Sequence, residues 1–187
     1  RAAVFSSLGS QSIELLEALS QQNEKEDKGM EAALRELGRM AATHRGTGEV
    51  RTFMATHLGE GSGWSHSEKM MLLKGLAEGA WDRHQKNKEN SPLIKLALGN
   101  PIALESMKRL FVAARNTALG DGDIATRIRA VKLLAYTGDR EMRETLLGLL
   151  EPSQHEPVQL AAVKSLSNLS DPAAMKALLS KDRWRGY

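Results

Sequence analysis

The sequence predicts an all-α protein, an α-solenoid of stacked antiparallel helix pairs, and three observations carry that expectation. Aromatic residues make up only 4% of the 187 positions, while Leu, Ala, Met, Glu, Lys and Arg are abundant, a bias towards helix over strand. Apolar residues recur at helical spacing almost throughout, and no stretch alternates with period two over more than a few residues. Two helical hairpins in the C-terminal third are related by a 32-residue offset, the pattern of units that bury their apolar faces by stacking on neighbours.

The elements follow in chain order. Ile13, Leu15, Leu16 and Leu19 form a first helix behind Ser10 or Ser12, whose hydroxyls suit a helix start. Residues 23–28 (NEKEDK) carry no apolar side chain and read as a solvated loop. Met30, Ala33, Leu34, Leu37, Met40 and Ala41 form an amphipathic helix closing near Arg45-Gly46, where a left-handed glycine is expected. Val50, Phe53, Met54, His57 and Leu58 give a shorter helix, ended by the glycine-rich run 59–63. Ser65 or Ser67 starts a helix carrying Met70, Leu73, Leu76, Ala77, Ala80 and Trp81. After the polar run 83–90, Pro92 opens a short apolar segment, and Asn100-Pro101 places a cap and a first-turn proline before a long helix with Leu104, Met107, Leu110, Phe111 and Ala114. Four further helices are expected at about 123–137, 139–151, 156–169 and 171–181.

In the repeat, Ala130-Val131-Lys132-Leu133-Leu134 aligns with Ala162-Val163-Lys164-Ser165-Leu166, Asp139 with Asp171, and Leu146-Leu147 with Leu178-Leu179. The architecture is therefore HEAT-like: an apolar helix, a turn ending in a capping Asp, and a second helix. The expected organisation is a single helical-repeat domain with an N-terminal helical cap (1–27), degenerate helix pairs (28–122), the two clearest repeats (123–182) and the truncated start of another helix (183–187). The expected core is Leu34, Leu37, Leu73, Leu76, Leu110, Val131, Leu134, Leu146, Leu147, Val163, Leu166 and Leu178.

Composition narrows the chemistry. With 41% hydrophobic and 26% charged residues the chain has the balance of a globular protein, and no apolar run approaches the ~18 residues of a spanning helix. Without cysteine, thiolate metal sites, iron–sulfur clusters, disulfides and a cysteine nucleophile are excluded. His44, His57, His66, His84 and His155 form no i, i+4 pair and read as scattered residues rather than metal ligands. Gly59-Glu60-Gly61-Ser62-Gly63 lacks the Lys-Ser/Thr of a phosphate loop and reads as an interhelical turn. Asp121 and Asp123 flank Gly122 without the remaining oxygens of a calcium loop, so Asp123 is expected to cap the following helix. No catalytic residue, metal or cofactor is expected.

Charge is less even. Residues 1–90 carry 12 Lys/Arg against 13 Asp/Glu and residues 91–187 carry 14 against 10, so the net charge of +3 comes from the second half. Lys108, Arg109, Arg115, Arg127, Arg129, Lys132, Arg140 and Arg143 lie there, and Arg127, Arg129, Lys132, Arg140 and Arg143 are the candidate interaction face. The alternative is a nucleic-acid-binding protein of the HEAT-like DNA glycosylase type, with Trp64, Trp81 and Asp82 in a basic groove. Against it, Trp81 lies in register with Leu73, Leu76, Ala77 and Ala80 and is expected in the core, so nucleic acid is disfavoured as a partner. Trp184 reads as the opening of a further helix. A third option, a lyase-type repeat protein handling a tetrapyrrole, has less behind it.

Residues 72–83 (LLKGLAEGAWDR), 127–139 (RIRAVKLLAYTGD) and 149–172 (LLEPSQHEPVQLAAVKSLSNLSDP) together resemble the HEAT-like segment of large PVC-type (planctomycete and verrucomicrobial) membrane-bound dehydrogenase or haem-binding-domain proteins, over about residues 28–184. The resemblance implies a repeat lying between a β-propeller and a cytochrome c-type domain of an exported protein, spacing or docking those domains. It implies catalysis elsewhere, since neither Cys-x-x-Cys-His nor a propeller strand is present. The expected partners are other domains of such a parent, or a separate protein.

Overall fold

The computed structural model describes residues 9–20, 28–83 and 92–168. Among these residues there are nine helices and no strand: α1 (Ser12–Ser20), α2 (Lys28–His44), α3 (Thr47–His57), α4 (His66–Arg83), α5 (Pro92–Ala97), α6 (Pro101–Leu119), α7 (Ile124–Leu134), α8 (Arg140–Gly148) and α9 (Glu156–Asn168). The all-α fold is as the periodicity predicts. The expected helix at 171–181, Asp171, Leu178, Leu179, His84 and Trp184 lie outside the described residues, as do most of the polar runs 23–28 and 83–90. The chain divides into two compact units, Arg1–Leu110 and Phe111–Tyr187, the boundary falling within α6.

In the first unit α2 and α4 lie side by side and run parallel. Ser67 Oγ donates to Glu31 Oε1 at 2.9 Å, Arg35 pairs with Glu78 at 2.8 Å and Arg39 with Asp82 at 3.2 Å, so partners advance together along both helices. Glycine sets how closely the backbones approach. A Cβ on Gly75 or Gly79 would strike the carbonyl oxygens of Arg35 and Arg39, and one on Gly38 would lie 2.8 Å from the Leu72 carbonyl. Both sides of this contact contribute fully buried residues, Leu34, Ala41 and Ala42 from α2 and Leu72, Leu73 and Leu76 from α4. Leu37 is only half-buried. In α3, Val50, Phe53 and Met54 are buried, and Arg51 Nε donates to the Leu96 carbonyl of α5 at 3.2 Å.

Local chemistry fixes the helix ends. Ser65, not Ser67, caps α4: its Oγ accepts from the Glu68 N–H while Glu68 Oε2 accepts from the Ser65 N–H, a reciprocal box. Asn100 Oδ1 accepts from the N–H groups of Ile102 and Ala103, with Pro101 in the first turn. Gly46 departs from the sequence expectation. It has φ −62° and ψ 141°, an extended N-cap of α3 rather than a left-handed end of α2. Among the described residues the left-handed glycines are Gly61, Gly99 and Gly138.

In the second unit α7 and α9 begin 32 residues apart, at Ile124 and Glu156, which is the offset of the repeat. They pack in parallel: near their starts Arg127 Nη2 reaches Gln154 Oε1, and towards their ends Ser165 Oγ donates to the Val131 carbonyl at 3.2 Å. Asp123 caps α7 and Asp139 caps α8, accepting from Thr126 N–H and Glu141 N–H respectively. The helix α7 stops at Leu134 rather than near 137, because Tyr136 and Thr137 donate to the carbonyls of Leu133 and Leu134 in tighter turns, and Gly138 at φ 63° redirects the chain. The helix α8 likewise closes through the Leu150 and Glu151 N–H groups on Leu147 and Gly148. The buried centre is Ala130, Val131, Leu133, Leu134, Leu146, Leu149, Val158, Ala162 and Leu166. Val163, by contrast with its buried repeat mate Val131, is half-buried. Leu147 is half-buried as well.

Candidate interaction face

The five candidate basic residues do not form one face. Arg127 and Arg129 are two positions apart on α7, which points them to nearly opposite sides of a helix. Arg127 is only 5% exposed. Its Nε donates to the Ala118 carbonyl at 3.1 Å and its Nη2 to Gln154 Oε1 at 2.6 Å. A cation at the C-terminal end of α6 also meets the negative end of that helix. Arg127 is therefore a packing residue and leaves the face that the sequence assigned it to.

Arg129 is half-buried and Lys132 exposed on α7, while α8 carries an exposed Arg140 and a half-buried Arg143. Arg140 Nε lies 2.9 Å from Glu144 on the same helix. Of the remaining basic residues in this half, Arg115 pairs with Glu141 at 3.1 Å and donates to Thr145 Oγ1 at 3.0 Å, tying α6 to α8. Arg109 is held between Glu60 and Glu105 at 3.1 and 3.2 Å. Much of the basic excess is thus spent on local pairs. Lys164, which the sequence-based face does not include, is exposed on α9; its place opposite Lys132 in the aligned repeat is the signal that could have found it.

The tryptophans and Asp82 separate. Trp64 is buried, its ring centroid 6.0 Å from that of Phe53 and 5.7 Å from that of His57, and Phe53 and His57 stack at 4.6 Å. Burial in this cluster holds the His57 imidazolium below its ordinary range, against a smaller opposing pull from Glu17. Asp82 is engaged by Arg39 on the exposed side of α2 and α4. Trp81 is half-buried, not a core residue as expected. Buried positions from Leu72 to Ala80 already occupy more than half the circumference of α4, and Trp81 falls at the margin of that arc. Among the described residues Trp64 and Asp82 thus belong to separate clusters, one aromatic and one ionic.

The remaining motifs are structural. Lys69 Nζ and Ser62 Oγ both donate to the Gly59 carbonyl, closing the 59–63 turn. Asp123 accepts from the backbone and hydroxyl of Thr126, which holds its carboxyl below the usual carboxylate range. Among the described residues no group of three or more His, Cys, Asp or Glu is placed to hold a metal ion, and no helix is long and apolar enough to cross a membrane.

No curated protein and no solved structure matches the chain significantly. Residues 112–184 match the family model for HEAT repeats, so the α7–α9 stack belongs to a HEAT-like repeat segment.

Proposed function

We propose that the chain is a non-catalytic repeat scaffold that docks a protein partner, with Arg129, Lys132, Arg140 and Arg143 on the docking side of its second unit. HEAT repeats fit a scaffold or interaction role, and the observation that carries the reading is the parallel stacking of α7 and α9 at the repeat offset within the matched segment. The arrangement buries apolar faces and, Arg127 excepted, leaves the charged side chains of α7 and α9 exposed or half-buried. The sequence resemblance to PVC-type proteins is what supports a larger, exported dehydrogenase-like parent whose catalytic and haem domains this segment spaces; the repeat match concerns the repeat and not that parent.

The test is a fourfold charge reversal, Arg129→Glu, Lys132→Glu, Arg140→Glu and Arg143→Glu, with Arg127 left intact. Circular dichroism should show an unchanged helical fold, while association with the separately expressed neighbouring domains of the longer protein weakens at least tenfold. Unchanged association would remove this face from the reading. Duplex DNA should bind only weakly and lose binding steeply with salt. Lesion-selective binding with base release that Asp82→Asn abolishes would instead establish the glycosylase alternative.

A further inference from the structure

The repeat places the same two kinds of side chain at the same position on α7 and α9. Ile128 and Lys132 are four residues apart on α7, and Leu160 and Lys164 repeat them 32 residues later on α9. Residues at i and i+4 share one helix face. The helices run parallel in register, fixed by Arg127 to Gln154 at one end and Ser165 to Val131 at the other. Lys132 and Lys164 are exposed, Leu160 is 53% exposed and Ile128 is half-buried. All four lie on the side of their helices turned from the buried positions Ala130, Leu134, Ala162 and Leu166. Neither lysine ammonium has an ion-pair or hydrogen-bond partner among the described residues, in contrast to the guanidinium groups of Arg115 and Arg140.

We propose that this face receives an extended acidic segment of a partner protein, crossing α7 and α9 near their C-terminal halves. Lys132 and Lys164 pair with two of its carboxylates, and Ile128 and Leu160 pack against its aliphatic side chains. The inference rests on the interaction-domain reading above and adds the chemistry of the partner. Adjacent helices lie about 8–10 Å apart, and a segment extended in the polyproline-II conformation advances about 3.1 Å per residue with three residues per turn, so that side chains three residues apart share a face. Carboxylates three residues apart therefore match the lysine spacing, with aliphatic residues beside them. The exposed acids Asp123 and Glu156 stand at the N-terminal ends of the two helices and repel such a segment there, which confines the crossing to the lysine end.

The experiment uses the whole 187-residue chain and a fluorescein-labelled peptide with two glutamates three residues apart, flanked by leucines, read by anisotropy at physiological salt. Controls are the same peptide with lysines for glutamates, one with the glutamates adjacent, and a single-stranded oligonucleotide of equal charge. Lys164→Glu and Lys132→Glu should each weaken binding of the spaced peptide about fivefold, given the modest worth of single exposed pairs. Lys164→Arg should retain it, and Leu160→Ser should weaken it without changing its salt dependence. Equal binding of both glutamate spacings, equal binding of the oligonucleotide, or indifference to Lys164→Glu in a variant with wild-type circular dichroism overturns the proposal. The fourfold reversal omits Leu160 and Lys164. Failure of the spaced peptide to bind, while that reversal still abolishes domain association, overturns the acidic-segment proposal and leaves the docking reading standing.

Discussion

Arg127 donates from Nη2 to the side-chain oxygen of Gln154 across 2.6 Å, and from Nε to the Ala118 carbonyl, so one buried guanidinium joins the end of α6, the body of α7 and the turn before α9. Gln154 is itself held in place, because its carbonyl accepts from the Gln159 amide, which also donates to Glu151. Arg127→Ala leaves these acceptors unpaired and should destabilise by about 2 kcal/mol, measured by urea unfolding. Lys cannot reproduce the forked donors, so Arg127→Lys should recover little. Lys132→Ala, on the exposed side of the same helix, should change stability by less than ~0.5 kcal/mol. Equal effects at the two positions would show that Arg127 is not a packing residue.

The close approach of α2 and α4 makes their glycines irreplaceable. Gly75→Ala and Gly79→Ala each force a methyl into the carbonyls of Arg35 and Arg39, backbone that cannot give way, and should cost about 2 kcal/mol or more. Gly48, in the first turn of α3, has open space for at least 4 Å around the point where a methyl would stand, so Gly48→Ala should stabilise by about 0.5 kcal/mol through its effect on the unfolded chain. Thermal melts of the three variants decide the matter, and a neutral Gly75→Ala would mean that the two helices lie further apart.

Burial separates two leucines of the repeat. Leu134 is fully buried and Leu160 is 53% exposed. Leu134→Asp should destabilise by about 4 kcal/mol or prevent folding, by placing a carboxylate in the core. Leu166→Asp, at the matching buried position on α9, should behave alike. Leu160→Asp should melt close to the wild type. A reversed order of Leu134→Asp and Leu160→Asp would show the α7 and α9 faces to be turned the other way.

Stability should fall on mild acidification partly through His57. Its imidazolium is disfavoured in the folded state by burial against Phe53 and Trp64, so the unfolded chain binds the proton more readily. The stability this adds is complete above the ordinary histidine value of ~6.5 and is lost as pH falls through the lower folded-state value. Melting temperatures at pH 7.5 and pH 5 should therefore differ less for His57→Phe than for the wild type. An unaltered difference would assign the acid sensitivity to other groups.

The sequence by itself determined the all-α class, the 32-residue repeat, the caps at Asn100, Asp123 and Asp139, and most of the core, including Leu34, Leu73, Leu76, Val131, Leu134 and Leu166. These are legible because helical spacing and cap chemistry act over three or four neighbouring residues, and repetition needs only comparison of the chain with itself. Only the tertiary structure decided that Arg127 turns inward while Lys132 stays outside, that Trp64 is buried while Trp81 is only half-buried, and that Gly46 starts a helix instead of ending one. It also revealed why α4 carries Gly75 and Gly79, which a helix read alone would count as a cost. Apart from Gly46, whose N–H is met by Glu49 three residues on, these outcomes depend on what a neighbouring element places opposite the residue: a carbonyl for Arg127, an aromatic pair for Trp64, a neighbouring backbone for Gly75 and Gly79. Such partners lie outside the helix or turn that carries the residue, and the periodicity of one helix carries no record of them.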